Sequence, residues 1–283
     1  MRKKISSILS ILLLFTLLAG CQPSASMTSS APETTAPTQA ATEATTQATT
    51  EPTGASGEAF TPVSTGAQTT VHVSTVDELL AAIAPDTEII LDAEFYDLST
   101  ATGYGETNST YYRWEEVFDG VQLTIQDVNN LTIRAEGDIK SHTVSARPRY
   151  AHVLNFDNCS AITVEGFTAG HTFEPASCAG GVLGFQGSQD ILIRNCGLYG
   201  CGVVGVWAEM SKNIQVAACD IYECSWGGVY MVSCKDVTFS GNTIRDLGQE
   251  FDGTWHEGTA FMLHDTTNIT IDGKKMNDNC IGN

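Results

Sequence analysis

The sequence predicts an all-β protein, a right-handed parallel β-helix solenoid of about six turns with an N-terminal capping helix. The first observation behind this prediction is a three-residue phrase whose first and third positions are apolar. It recurs at steps of 23 to 32 residues from residue 131 onward, which is the spacing of a structural repeat. The phrase occurs at Leu131–Ile133, Ile162–Val164, Ile191–Ile193, Ile214–Val216, Val237–Phe239 and Ile269–Ile271.

Two further apolar patterns accompany this phrase. The first is an alternating pair that ends eight residues before the phrase does, and the second is an apolar residue five residues after it. Alternation with period two places the paired residues inside and their neighbours outside, so each turn of about 23 residues holds three short strands. The pairs are Leu154/Phe156, Leu183/Phe185, Val206/Ala208, Val229/Met231 and Phe261/Leu263, and the later residues are Leu198, Ile221 and Ile244.

The segment before the repeats predicts the cap. Val71–Val73 has the pattern of a short strand, and Thr75–Glu78 is a capping box that opens an apolar helix over Leu79–Ile83. Pro85 ends the helix, and Glu88–Leu91 has the pattern of another strand. One amphipathic helix before a run of strands is typical of the end of a solenoid.

These repeats resemble the pectate-lyase-like solenoid family, and the resemblance covers residues 71–283. In that family ligands bind in a groove along the outside of the first strand of each turn. The resemblance implies the location of a groove and no individual residue, because a fold hosts many functions.

The N-terminal part predicts export and a membrane tether. Residues 1–21 have a basic start, an apolar run and Leu18-Ala19-Gly20-Cys21, which resembles a bacterial lipobox. This implies lipidation of Cys21 and anchoring to the outside of the bacterial cell membrane; the alternative is an ordinary secretory signal. Residues 22–68 are rich in Thr, Ala and Pro and predict a disordered stalk, so the β-helix domain occupies residues 69–283.

The charge restricts the partners. The chain has 14 Lys and Arg against 33 Asp and Glu, a formal charge of −19. Such a body repels nucleic-acid phosphates, so nucleic-acid binding is excluded. Tight binding of an anionic glycan is also disfavoured unless a local basic spot or a metal ion compensates.

The cysteines fall at equal positions of successive turns, and we expect them to be small buried residues. Disulfides are the alternative in an exported protein, but neighbouring in-register strands orient Cβ atoms poorly for a bridge. No metal site or cofactor is predicted, because the sequence contains no explicit calcium loop. Calcium would nevertheless offset the negative charge of an acidic groove. The aligned pairs are Cys196 with Cys219, Cys201 with Cys224, and Cys159 with Cys234.

The predicted outward positions of the first strand carry the chemistry. Trp207 and Tyr230 would lie on neighbouring turns and form an exposed aromatic platform for sugar rings, unless a long loop covers both. Polar groups accompany them at Asn155, Asp157, Glu209 and His264, whereas the second strand shows the outward row Thr132, Thr163, Leu192, Gln215, Thr238 and Thr270, which we interpret as structural.

Two long loops would border this groove. The loop over residues 170–181 contains His171, and the loop over residues 248–259 contains Trp255, His256 and Glu257. Insertions in a solenoid gather on one side, often the binding side. Any of these residues is equally interpretable as part of a turn or a strand cap.

The enzyme hypotheses need specific groups. A glycoside hydrolase needs two carboxyl groups roughly 5–10 Å apart, which two of Asp157, Glu174, Glu209 and Glu257 would supply. A polysaccharide lyase needs a base and a cation for the developing charge, and Arg149 with its neighbour Arg147 offers the cation. The candidate catalytic residues are therefore Glu209, His171, Arg149 and His256, and the candidate substrate-binding residues are Asn155, Asp157, Trp207, Tyr230, Trp255, Glu257 and His264.

Three functions remain open at this point. The first is binding or processing of an extracellular polysaccharide at a cell surface, the second is a lyase or hydrolase, and the third is a non-catalytic structural or adhesive protein. No amphipathic cap is visible after Ile271, so self-association through this C-terminal end is also expected as an alternative.

Overall fold

A computed structural model of the protein describes residues 66–172, 179–200, 203–275 and 281–282, all within the unit from Ala55 to Asn283. The predicted leader, Cys21 and the stalk up to residue 65 lie outside the described residues. The described part is a β-helix of three parallel sheets, as predicted. We name them the first, second and third sheets, in the order in which each coil contributes its strands.

The first sheet has eight strands. Its six central strands pair in parallel, and the outermost strand at each end pairs antiparallel. In spatial order the strands are β4 (Tyr112–Val117), β5 (Gly120–Gln126), β8 (Leu154–Asp157), β11 (Leu183–Gln186), β14 (Val204–Glu209), β17 (Gly227–Val232), β22 (Thr259–His264) and β25 (Ile281–Gly282).

The second sheet has nine strands and the third has six. The second consists of β1 (Thr69–Val73), β2 (Thr87–Leu91), β6 (Asn129–Arg134), β9 (Ser160–Glu165), β12 (Gln189–Arg194), β15 (Lys212–Ala217), β18 (Lys235–Ser240), β23 (Thr267–Ile271) and β24 (Lys274–Lys275). The third consists of β3 (Phe95–Asp97), β7 (Thr143–Ala146), β10 (Thr168–His171), β13 (Gly197–Tyr199), β16 (Asp220–Tyr222) and β19 (Thr243–Arg245). A separate hairpin joins β20 (Gly248–Phe251) to β21 (Thr254–Glu257).

The predicted cap is present. Helix α1 (Val76–Ala82) begins after Thr75, whose hydroxyl accepts the backbone N–H of Glu78, and it buries Val76, Leu79 and Leu80. It therefore starts three residues before the predicted apolar run, because the polar first turn is already helical. A single 3-10 turn follows at Leu98–Thr100. None of the helices in the described residues is long and apolar enough to cross a membrane.

Left-handed residues make the corner between the first and second sheets. The residue after each of the six parallel first-sheet strands and the second residue of the following second-sheet strand both have a positive φ, between 47° and 58°. Asn, Asp and Gly adopt this conformation most readily, which explains their spacing along the chain. The two sets are Asp127, Asn158, Gly187, Met210, Ser233 and Asp265, and Asn130, Ala161, Asp190, Asn213, Asp236 and Asn268.

Short polar side chains at the same corner tie each coil to the next. The backbone N–H of Cys159 donates to Ser188 Oγ at 3.0 Å, and the N–H of Ser188 donates to Ser211 Oγ at 3.1 Å. Cys159 and Cys234 occupy equal places in this ladder, and burial raises the pKa of both thiols to about 11. The prediction of buried cysteines is confirmed for the described ones, which are Cys159, Cys196, Cys219, Cys224 and Cys234. Cys201 lies outside the described residues.

The alternating apolar pairs fill the interior, as predicted. Leu154, Leu183 and Val206 are register partners, and Phe156 and Phe185 stack with ring centroids 5.0 Å apart. At the C-terminal end, β24 pairs with β23 and β25 pairs with β22. Two of the three terminal edges are therefore covered by the chain itself, which the sequence did not reveal, and self-association through this end stays a prediction.

The stacked interior predicts a steep cost for removing one ring. Phe185→Ala should lower the free energy of unfolding by about 3–5 kcal/mol, because it leaves a cavity beside Phe156. Gln186→Ala, the exposed neighbour, should change it by less than about 0.5 kcal/mol. Equilibrium denaturant unfolding measures both values, and equal losses in the two variants would contradict the inward assignment of Phe185.

Candidate functional site

The outer face of the first sheet carries two rows of polar and aromatic side chains. Strand pairing aligns Asn155, Gly184, Trp207 and Tyr230 in one row. It aligns Asp157, Gln186, Glu209, Val232 and His264 in the other. Both rows follow the order predicted from the repeat.

A cleft of about 200 Å³ lies on this face. Its lining combines two carboxylates, three amides, an imidazole and the indole of Trp207; Phe185 also borders it, although its ring is buried in the interior. These residues are Glu115, Gln122, His152, Asn155, Phe185, Gln186, Trp207 and Glu209. The structure thus brings the predicted residues Asn155, Trp207 and Glu209 together and adds groups that the repeat did not identify.

An aromatic row extends from this cleft along the solenoid. The centroid of the Trp207 ring lies 5.9 Å from that of His152 and 4.6 Å from that of Tyr230. Tyr230 in turn lies 5.6 Å from both Trp226 and His264. Trp207 and Tyr230 are half-buried because their inner sides rest on Val203, Val204 and Met262. The two rings are therefore partly exposed, and the predicted aromatic platform has one side packed on the protein and one side accessible to solvent.

Glu209 is oriented by its neighbour in the chain. Trp207 Nε1 donates to Glu209 Oε1 at 2.9 Å, which fixes indole and carboxylate together. Asp157 lies two strands away in the same row, a backbone separation of about 10 Å. Arg113 Nη2 donates to Asp157 Oδ2 at 2.9 Å, so this second carboxylate is already paired.

Glu115 forms the other end of the cleft. Its Oε2 accepts hydrogen bonds from Thr124 Oγ1 at 2.9 Å and from Gln122 Nε2 at 3.1 Å. Asn155 Nδ2 donates to the same Thr124 oxygen at 3.1 Å. This polar chain was not predicted, because β4 precedes the first recognisable repeat and carries none of its apolar phrases.

His152 lines the cleft although it is not among the predicted site residues. The backbone N–H of Gly181 donates to His152 Nδ1 at 3.0 Å, so the neutral ring carries its proton on Nε2. Burial, with a smaller contribution from nearby His171, lowers the pKa of His152 from 6.5 to about 4. The ring remains neutral at pH 7 and offers an N–H donor to the cleft.

Gly184 is the residue in the sequence that could have indicated the place of the His152 ring. A Cβ at Gly184 would lie 2.8 Å from ring atoms of His152 and 2.5 Å from Asn155 Oδ1. The glycine stands in a row whose other members have larger side chains. A glycine in such a row indicates that a side chain from a neighbouring coil crosses over it.

The remaining candidate catalytic residues lie away from the cleft lining. His171 is only 2% exposed, and its Nε2 bonds to the carbonyl of Ala151 at 2.9 Å. The backbone N–H groups of Arg149 and Tyr150 both donate to the Asp119 carboxylate. Neither His171 nor Arg149 lines the cleft, and residues 173–178 of the first predicted loop lie outside the described residues.

The second predicted loop is the hairpin β20–β21. Trp255 is 54% exposed, and His256 and Glu257 are also exposed. The His256 ring contacts Phe251, with centroids 6.2 Å apart. These residues form an arm beside the last described coils and do not line the cleft. Over the described ranges, no group of three or more His, Cys, Asp or Glu side chains is arranged to hold a metal ion.

Comparisons with known proteins agree with the architecture. Residues 123–282 match the family described as right handed beta helix region. A search of the curated proteins gives no match.

Several solved structures resemble the chain at low identity. A candidate glycosyl hydrolase from Parabacteroides merdae ATCC 43184 is 12% identical with a TM-score of 0.40, and the match covers 72% of this chain and 99% of that one. The surface adhesin PfbA of Streptococcus pneumoniae is 14% identical with a TM-score of 0.39, covering 70% and 49%. A pectate lyase from Paenibacillus sp. 0602 is 13% identical with a TM-score of 0.32, covering 60% and 36%.

The burial of His152 predicts acid sensitivity. Between pH 6.5 and 4 the unfolded chain binds a proton that folded His152 does not, so the free energy of unfolding falls as the pH falls. The lowered pKa of His152 corresponds to about 3 kcal/mol over this window. Burial lowers the pKa of His171 as well, so part of the pH dependence comes from a second group.

Urea unfolding at pH 7 and pH 4.5 measures this dependence. His152→Gln should lose less stability than the wild-type chain between the two pH values, whereas Gln186→Ala, a control on the same sheet, should keep the wild-type loss. An unchanged loss in His152→Gln would show that the imidazole is not held neutral by the fold.

Proposed function

The chain belongs to the right handed beta helix family, and from this premise we propose that it binds an extracellular, uncharged polysaccharide on the outer face of its first sheet. The observation that supports this most is the aromatic row of Trp207 and Tyr230 beside the donors and acceptors of the cleft. Sugar rings pack their apolar faces on aromatic rings and bond their hydroxyls to amides and carboxylates.

The electrostatics of the cleft favour a neutral ligand. Glu115 and Glu209 line it, and its described lining contains no Lys or Arg. The nearby guanidinium of Arg113 already contacts Gln126, Asp157 and Glu115. Carboxylates of a polyuronate would therefore meet like charges without a cation to offset them.

The direction of the rows indicates how the ligand lies. Successive first-sheet strands are about 4.8 Å apart, and the rings of His152, Trp207, Tyr230 and His264 follow one another along that direction. A glycan chain that runs along the solenoid axis contacts all four, whereas one that runs along a strand contacts one. We therefore propose an extended ligand parallel to the axis.

Export and lipid anchoring at Cys21 complete the proposal. The apolar leader and the lipobox-like Leu18–Cys21 support them, and the Thr-rich segment up to residue 68 would hold the binding domain away from the membrane. Mass spectrometry of the chain from a bacterial membrane fraction tests this part. A Cys21 that bears no lipid would contradict it.

Loss of binding on removal of one ring tests the ligand site. Trp207→Ala and Tyr230→Ala should each weaken glycan binding about 10- to 100-fold, because one stacking contact is removed. Phe95→Ala removes an exposed ring from the third sheet and should leave binding unchanged. The measurement is a glycan array followed by calorimetry with the full chain.

Two results would contradict this binding proposal. One is equal affinity in all three variants and the wild-type chain. The other is preferred binding of polyuronates over neutral glycans. A wild-type chain that binds no glycan would favour the structural or adhesive function instead.

Glycoside hydrolysis is a second candidate, favoured by the two carboxylates of the cleft. Glu209 is the better placed, since Glu115 already accepts hydrogen bonds from Thr124 and Gln122 and lies 3.6 Å from the Arg113 guanidinium. Glu209→Gln should abolish new reducing ends while glycan binding stays within about threefold of the wild-type value. Reducing ends that persist in Glu209→Gln, or that never form with the wild-type chain across a panel of neutral polysaccharides, would remove this candidate.

A further inference from the structure

The outer face of the second sheet carries a row of alternating charges. We call Glu88, Arg134, Glu165 and Arg194 the charge ladder. Arg134 Nε donates to Glu88 Oε1 at 2.7 Å, and Arg194 Nε donates to Glu165 Oε1 at 2.7 Å. Arg134, Glu165 and Arg194 are register partners on β6, β9 and β12, and Glu88 lies on the adjoining strand β2. The charges therefore run minus, plus, minus, plus along the solenoid axis.

This face is locally far less acidic than the whole chain. Lys212 and Lys235 are exposed at the start of β15 and β18 of the same sheet. With Arg134 and Arg194 they give four cations, against the five anions Glu88, Glu136, Glu165, Asp190 and Asp236. The formal charge of −19 makes two copies of the chain repel each other. A second copy therefore approaches this face more easily than it approaches the more acidic faces of the chain.

The ladder also borders an open concavity. A cleft of about 320 Å³ lies between the ladder and the rows of Thr132, Thr163 and Leu192. The Arg194 side chain is 50% exposed, and its guanidinium has five donors of which Glu165 takes two. The ladder thus has donors left for a further carboxylate, and the cleft has room for an incoming side chain.

We infer that two copies of the chain pack their second sheets face to face, related by a two-fold axis parallel to the strands. This operation reverses the direction of the solenoid axis, so the order minus, plus, minus, plus faces its own reverse. Arg134 then lies opposite Glu165 of the second copy at two symmetry-related points. Glu88, whose register partner is Thr132, lies two residues along the strand from the position opposite Arg194 of the second copy. The two central positions of the ladder, 134 and 165, each meet an opposite charge, which a parallel arrangement would not achieve.

The size of the overlap indicates the strength of this contact. The axis passes between β6 and β9, so the overlapping region runs from β1 to β15, roughly 30 Å by 18 Å. That is about 500 Å² per copy, below the about 800 Å² of a standard interface. The dimer should therefore be weak and dependent on concentration and salt.

Sedimentation velocity of the full chain tests the dimer. The wild-type chain should form dimers as its concentration rises and lose them at high salt. Arg134→Glu and Glu165→Arg should each raise the dissociation constant about tenfold or more, because each places like charges opposite each other at two points. Arg245→Glu reverses a paired arginine on the third sheet and should dimerise like the wild-type chain.

Mixing the two variants separates an interface from a general loss of structure. In a mixed dimer the reversed position 165 faces the reversed position 134, and the two unchanged positions also face opposite charges. An equimolar mixture should therefore form dimers although each variant alone does not. A misfolded variant would give no such rescue.

Three results would overturn the inference. The first is a wild-type chain that stays monomeric, which is expected if the segment before Gly66 covers the face instead. The second is a dimer that persists in both variants. The third is an equimolar mixture of the variants that remains monomeric.

Discussion

Hydrogen-bonded register between successive coils is the constraint on which the rest of the structure depends. Parallel pairing holds neighbouring coils about 4.8 Å apart and puts equal positions on top of each other. The chain between two such positions varies from 23 to 32 residues, yet the register is kept. The left-handed corner residues and the ladder of Cys159, Ser188 and Ser211 fix it at the same point of each coil.

This constraint turns a sequence pattern into surfaces. A residue between two buried members of a first-strand pair must lie on the outer face, above and below its equivalents in the next coils. That is why Trp207 meets Tyr230, and why Glu209 shares a row with Asp157. The same rule on the second sheet produces the charge ladder, so binding groove and proposed dimer face arise from one geometry.

The repeat made the fold and both groove rows predictable, because stacking depends on spacing alone. It did not reveal Glu115 or Arg113, which lie on the antiparallel strand β4 ahead of the first repeated phrase. Nor did it reveal His152, whose ring reaches the cleft only because Gly184 leaves space above the sheet. The second-strand row of Thr132, Thr163 and Leu192 was interpreted as structural because it is rich in threonine. The charged residues Arg134, Glu165 and Arg194, which line the same cleft, lie two residues further along their strands.

The most direct test of whether glycans bind to the outer face of the first sheet is a nuclear magnetic resonance titration that follows the four indole N–H signals of the chain. The chain has four tryptophans, of which Trp114 is buried and Trp207 donates its indole N–H to Glu209. When oligosaccharides from neutral polysaccharides are added, the Trp207 signal should move and the Trp114 signal should not. A glycan that binds without moving the Trp207 signal would contradict the account.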